Sequence, residues 1–180
     1  MHASQLHEQL PGLRRYARAL TGNAWAADDL VQDTLERACS KWRLWLAGTD
    51  LRAWLFTIMH NIHASDVRRT LRQQQLAPTG SWDEEAAQVA DSSAPTDVRM
   101  DLQHCLMQLP EEQRTVLLLV VLEDMSYADV ASITATPIGT VMSRLSRARS
   151  RLETLMNATG SPAVKSIKPV ADVIPLPRSR

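Results

Sequence analysis

A chain of 180 residues with 20 Lys/Arg against 20 Asp/Glu is formally neutral, an average that by itself argues against a nucleic-acid ligand. No stretch approaches the roughly 18 uninterrupted apolar residues of a membrane span. His2, His7 and Glu8 break up the N-terminus where a secretory leader would carry its apolar core, so a cytoplasmic protein without membrane insertion is expected.

Helical periodicity runs along the chain with no sustained alternation of strand type. Leu6, Leu10, Leu13, Ala17 and Leu20 predict a first helix, started or interrupted by Pro11-Gly12 and stopped near Thr21-Gly22. Asn23 is placed to cap a second helix with Ala27, Leu30, Val31, Thr34, Leu35, Ala38 and Trp42 on one stripe. Thr49 or Asp50 would cap a third, running through Leu51, Leu55, Ile58 and Ile62 towards Leu71. Cys39 and Cys105 fall on apolar helix faces and are expected as buried free thiols.

Residues 73–96 are polar and acidic without an apolar face, and read as a flexible linker. A second helical set starts near Asp97, with Val98, Leu102, Cys105, Leu106 and Leu109 inward. Pro110 then opens a helix with Val116, Leu117, Val120 and Val121 inward. After Asn157, Gly160 and four prolines predict a disordered tail. The fold class is therefore all-α: two small helical domains joined by a flexible linker, spanning 1–72, 73–96 and 97–156, followed by a tail over 157–180.

Charge is segregated along these divisions. Residues 1–72 carry ten Lys/Arg against seven Asp/Glu, residues 73–112 one against eight, and residues 113–180 nine against five. Two basic blocks around an acidic middle suit two nucleic-acid-facing modules joined by a segment that does not bind DNA.

Ser126–Leu152 carries the sharpest signal. Ser126 and Asp129 can form a capping box for a short helix with Val130, Ala131 and Ile133 inward. Thr134-Ala135-Thr136 turns the chain, Thr136 caps, and Pro137 opens a second helix buried through Ile138, Val141, Leu145, Ala148, Leu152 and Leu155. Up to Leu152, Arg144, Arg147, Arg149 and Arg151 give that helix charge of one sign, among Thr140, Ser143 and Ser146. This is the sequence form of a helix-turn-helix whose recognition helix comes second. An ordinary helical hairpin with a solvated face is the competing interpretation.

In the first module, Asp28, Asp29, Gln32, Asp33 and Glu36 make an acidic, polar face on the second helix. Acids in a first turn complement the helix dipole, but their continuation through Glu36 suits a basic docking partner. On the third helix Trp54, Asn61, Asp66, Arg68, Arg69 and Arg72 mix aromatic, amide and basic groups, a combination that suits unstacked DNA strands. For Trp54, an ordinary core position competes with that role.

ADDLVQDTLERA (27–38), LRAWLFTIMHNIHASDVRR (51–69), LPEEQRTVLLL (109–119) and SYADVASITATPIGTVMSRLSRARSRL (126–152) together resemble bacterial sigma factors of the extracytoplasmic-function type. The resemblance covers about two thirds of the chain, in the family's order. It implies a subunit that binds core RNA polymerase and directs promoter-specific initiation. It assigns Asp28, Asp29, Leu30, Gln32 and Asp33 to the β′ clamp, and the polymerase β flap is a further expected contact. It assigns the loop around Gly48 with Asn61, Asp66, Arg68 and Arg69 to the melted minus-ten element. Pro137, Thr140, Ser143, Arg144, Arg147 and Arg149 would meet the duplex minus-thirty-five element, and an anti-sigma factor is an expected partner. Met142 departs from the basic residue common after Gly-Thr-Val, and Ser146 offers little bulk for a thymine methyl.

The alternative is a stand-alone helix-turn-helix regulator whose first module senses or dimerises. Enzyme activity is not expected: no phosphate-binding glycine loop, nucleophile elbow or acid–base carboxylate pair is evident. His60 and His63 have metal-compatible spacing but no third ligand at a suitable distance, so neither metal nor cofactor is expected.

Overall fold

Asn23 does what its position predicts: its side chain accepts a hydrogen bond from the Ala26 amide at 3.1 Å and starts the second helix. The computed structural model describes residues 2–42, 45, 50–76 and 97–158, and every regular element among them is helical. The first module comprises α1 (His2–Thr21), α2 (Ala24–Ser40) and α3 (Leu51–Leu76). Helix α1 runs through Pro11 rather than starting there, although proline removes one backbone bond from a helix interior. Asp50 caps α3 by accepting from the Arg52 and Ala53 amides. Helix α3 extends to Leu76, four residues past the expected boundary at 72, because Gln73–Gln75 are good helix formers. The Gly48 loop, residues 77–96 of the expected linker and the tail from 159 lie outside the described residues.

The second module comprises α4 (Asp97–Met107), α5 (Glu111–Leu117), α6 (Tyr127–Ile133) and α7 (Ile138–Ala158). Between α5 and α6, Leu118–Leu122 widens into a π-helical turn whose ladder includes a bond from the Glu123 amide to the Leu118 carbonyl. That widening shifts the register, so Leu118 and Leu119 are buried while Val121, expected inside, is 60% exposed. Leu102, in the middle of α4, and Ile138, the first residue of α7, were also expected inside and are exposed. Cys39 is exposed rather than buried, one residue past the inward Ala38, whereas Cys105 is buried as expected.

The two modules pack directly on each other. Helix α3 lies against α6, and α1 against α4 and the π-helical turn, so their apolar residues form one continuous core. Tyr16 of α1 is fully buried, edge-on to Phe56 of α3 at 5.2 Å. Burial pushes its phenol well above the usual range. The Thr115 hydroxyl of α5 partly offsets this, although the two groups miss hydrogen-bond geometry.

Candidate functional site

Three surfaces carry the residues singled out by sequence. On α2, Asp28, Asp29, Gln32, Asp33 and Glu36 are all exposed, because the inward stripe of Ala27, Leu30, Val31, Thr34 and Ala38 leaves them on the opposite face. Leu30 is the exception among the expected docking residues: it is 6% exposed and packs in the core beneath that face. Gln32 donates to Glu36 across one helical turn at 2.9 Å. Beside them Arg14 and Arg18 of α1, with Val31 and Leu35, line a groove of about 550 Å³. The two arginines were not singled out by sequence, although their four-residue spacing on α1 was the available signal.

On α3, Asn61, Arg68 and Arg69 are exposed, and Asp66 pairs with Arg69 at 3.0 Å. Arg68 lines a second groove of about 640 Å³ with Ser65, Leu71, Arg72 and Gln75, in which Leu71 is exposed. Trp54 is half-buried against the core and meets Trp42 edge-on at 6.1 Å, and Trp42 in turn contacts Trp45. Trp54 is thus one member of an aromatic cluster packed against the core.

The helix-turn-helix forms as the sequence predicts, with two local differences. The Ser126 hydroxyl accepts from the Asp129 amide at 3.1 Å, but the Asp129 carboxylate accepts from that hydroxyl instead of from the Ser126 amide. At the second cap, the Pro137 carbonyl receives the first bonds of α7, from Thr140 and Val141, while the Thr136 hydroxyl pairs with that of Thr134. Ala135 makes the turn with φ of +49°, a left-handed conformation costly for any residue with a Cβ.

Val141, Leu145, Ala148, Leu152 and Met156 anchor α7. The outward face presents Pro137, Gly139, Met142, Ser143, Ser146 and Arg147, with Thr140 and Arg149 half-buried at its borders. Small groups occupy its middle, so the backbone could approach a DNA groove closely, and nothing lies within 4 Å of a Cβ built on Gly139. Arg144 points elsewhere. Its guanidinium donates to Glu112 of α5, leaving the side chain 20% exposed.

Near Arg144 the two modules bring ionisable groups together. Burial lowers the His60 imidazole, helped by Arg144 and Arg68. Burial also lowers His63, to about 4, with Arg114 and His60 adding to it and Asp66 opposing. His63 Nε2 lies 3.4 Å from Glu111 Oε1, within ion-pair range, yet without hydrogen-bond geometry. Glu111 itself is raised by burial. Among the described residues no group of three His, Cys, Asp or Glu could hold a metal ion, and no helix is long and apolar enough to cross a membrane.

Comparison with known proteins matches both modules. The family model described as the Sigma2 domain of PhyR matches residues 6–60, and that described as Sigma-70, region 4, matches residues 99–152. The ECF RNA polymerase sigma factor EcfG of Rhodopseudomonas palustris is 39% identical over 152 residues, covering 84% of this chain and 83% of its own length. ECF RNA polymerase sigma factor SigM of Mycobacterium tuberculosis is 33% identical over 155 residues, covering 86% and 73%. The sigma factor RpoE of Bartonella quintana, solved in complex with the anti-sigma factor NepR, superimposes with a TM-score of 0.74 at 36% identity, over 87% of this chain and 96% of that one. Similarity spanning both modules favours this family over a stand-alone regulator. The chain belongs to the extracytoplasmic-function family of RNA polymerase sigma factors, which direct promoter-specific initiation of transcription by RNA polymerase.

Proposed function

We propose that this sigma factor acts in the cytoplasm as a non-catalytic specificity subunit, with its two modules dividing the work. The α2 face of Asp28, Asp29, Gln32 and Asp33 docks on the β′ clamp, with Arg14 and Arg18 framing the adjacent groove. Asn61, Arg68 and Arg69 of α3 meet the melted minus-ten strand, and Asp66 orients Arg69. Residues 97–156 read the minus-thirty-five duplex through Ser143, Arg147, Thr140 and Arg149 and dock on the β flap. Arg144 serves first as a brace to Glu112. An anti-sigma factor of the NepR kind is the regulatory partner, a reading supported by the RpoE likeness.

The observation that carries this reading is the coexistence of an exposed acidic α2 face and an exposed, uncharged-centred α7 face in one chain. A regulator that only bound duplex DNA would need no acidic dock. Run-off transcription with purified core polymerase over a promoter library tests it. Initiation at defined start sites that depends on the added chain is expected, and its absence on every template refutes the reading.

A further inference from the structure

The most heavily built polar cluster in the described structure lies on none of the three functional surfaces. Glu123, at the end of the π-helical turn, has a side chain 0% exposed, yet it comes from the second module and is bound by the first. Arg15 of α1 donates through Nε to Oε1 and through Nη2 to Oε2, both at 3.0 Å. Arg52 of α3 donates through Nη2 to Oε2 at 2.8 Å and to the Glu123 carbonyl at 2.6 Å, and its guanidinium lies over the Phe56 ring at 5.7 Å. Gly12 completes the seat: a Cβ there would stand 3.1 Å from Oε2.

We infer that Arg15 and Arg52 form a carboxylate-binding site that Glu123 fills within the same chain, latching the modules in a closed state that must open before both promoter elements can be engaged. This inference rests on the sigma-factor reading and adds a step to it. In the closed state one helix, α5, links the two DNA-reading helices: Glu111 lies beside His63 of α3, and Glu112 holds Arg144 of α7. A helix with its side chains is about 10 Å across. The minus-ten and minus-thirty-five elements are nominally 25 base pairs apart, roughly 85 Å of B-form duplex at 3.4 Å per pair. Surfaces separated by about one helix cannot lie on both at once. The 21 residue steps from Leu76 to Asp97 can reach roughly 70 Å at full extension. Together with the modules' own width, that allows the required separation.

The chemistry suits a releasable catch. A carboxylate buried with two guanidiniums is favourable only while its partners remain, because an unpaired buried charge is strongly disfavoured. On opening, Arg15, Arg52 and Glu123 all return to water, so the charged groups regain their hydration. The apolar contacts that continue the core between the modules gain no such compensation and oppose opening alongside the ion cluster. Fidelity is also high, since two parallel donors from Arg15 fix the carboxylate plane.

The test uses the full-length chain, labelled for energy transfer on exposed positions of α2 and α7, with far-UV circular dichroism as the folding control. Glu123→Gln keeps the shape and removes the charge, while Arg15→Glu places a like charge against the seat from a side chain 54% exposed. Both variants should show lower transfer efficiency at unchanged helicity. Both should also associate with a two-element promoter, in the presence of core polymerase, about tenfold faster than the parent. Unchanged transfer in both variants overturns the latch. So does lower transfer with unchanged promoter association, since closure would then restrain nothing. If parent and variants alike fail to join core polymerase, the sigma-factor reading falls, and the restraint on promoter engagement falls with it.

Discussion

Replacing Gly12 by alanine sets two effects of similar size against each other. Within α1 an alanine should stabilise the helix by about 0.5–1 kcal/mol relative to glycine. Its methyl would, however, meet Glu123 Oε2 at 3.1 Å, a few tenths of an ångström too close. That oxygen cannot retreat freely, because Arg15 and Arg52 hold it at 3.0 and 2.8 Å. Hydrogen bonds to charged groups contribute about 1.5–3 kcal/mol each, so partial loss of one cancels the helical gain. Gly12→Ala should therefore be neutral or destabilising by up to about 1 kcal/mol in the parent chain. With Glu123→Ala already present, the same change should stabilise by about 0.5–1 kcal/mol. The coupling, about 1 kcal/mol, falls in the range measured for touching residues. Urea titrations of the four chains, compared at their midpoints with a shared slope, measure it. Equal stabilisation in both backgrounds would refute the reasoning, because Glu123 would not then occupy the space above Gly12.

Further outcomes follow from other parts of the molecule. Stability should fall as pH drops from 6.5 towards about 4: His63 is held near 4 in the fold, so the unfolded chain binds more protons in that window. Its contribution is at most about 3 kcal/mol. Lowered His60 acts in the same direction and raised Glu111 against it, so the check is a shallower pH slope in His63→Gln. Ala135→Gly should stabilise by about 0.5–1 kcal/mol in urea, since left-handed backbone costs roughly 1–2 kcal/mol with a Cβ and glycine's added chain entropy removes part of the gain. Asp33→Lys should reduce co-purification with core polymerase, and wild-type recovery would remove Asp33 from the dock. Arg147→Ala should cost roughly 1–3 kcal/mol at a cognate promoter if the guanidinium reads a base edge. An equal loss on unrelated DNA in a gel-shift series would assign it to phosphate instead.

The parts legible in the sequence were those decided locally. Asn23, Asp50 and Ser126 cap helices because their short side chains reach the amides two or three residues ahead, a relation spacing alone reveals. The stripes of α2 and α7 were likewise written in steps of three and four. Glu123 was not legible as a site, because its partners lie 71 and 108 residues away and no periodicity links them. Its one local trace was the acidic pair Glu123-Asp124 closing the apolar run Val116–Leu122. Val121 was misplaced because a uniform α-helical step was assumed where the chain adopts a π-helical turn. The docking role of Leu30 came from motif position, which does not distinguish a surface leucine from one packed beneath the surface.

The wide turn at Leu118–Leu122 also controls phase. Deleting one residue there to restore an ordinary α-helix would leave the apolar composition almost intact. Everything downstream, however, would rotate by about 100° relative to α5. Glu123 would swing away from Gly12, and the helix-turn-helix would face a new direction on a chain that still folds locally. The extra backbone step therefore acts as an angular spacer, indexing the aim of α7 to the position of α1.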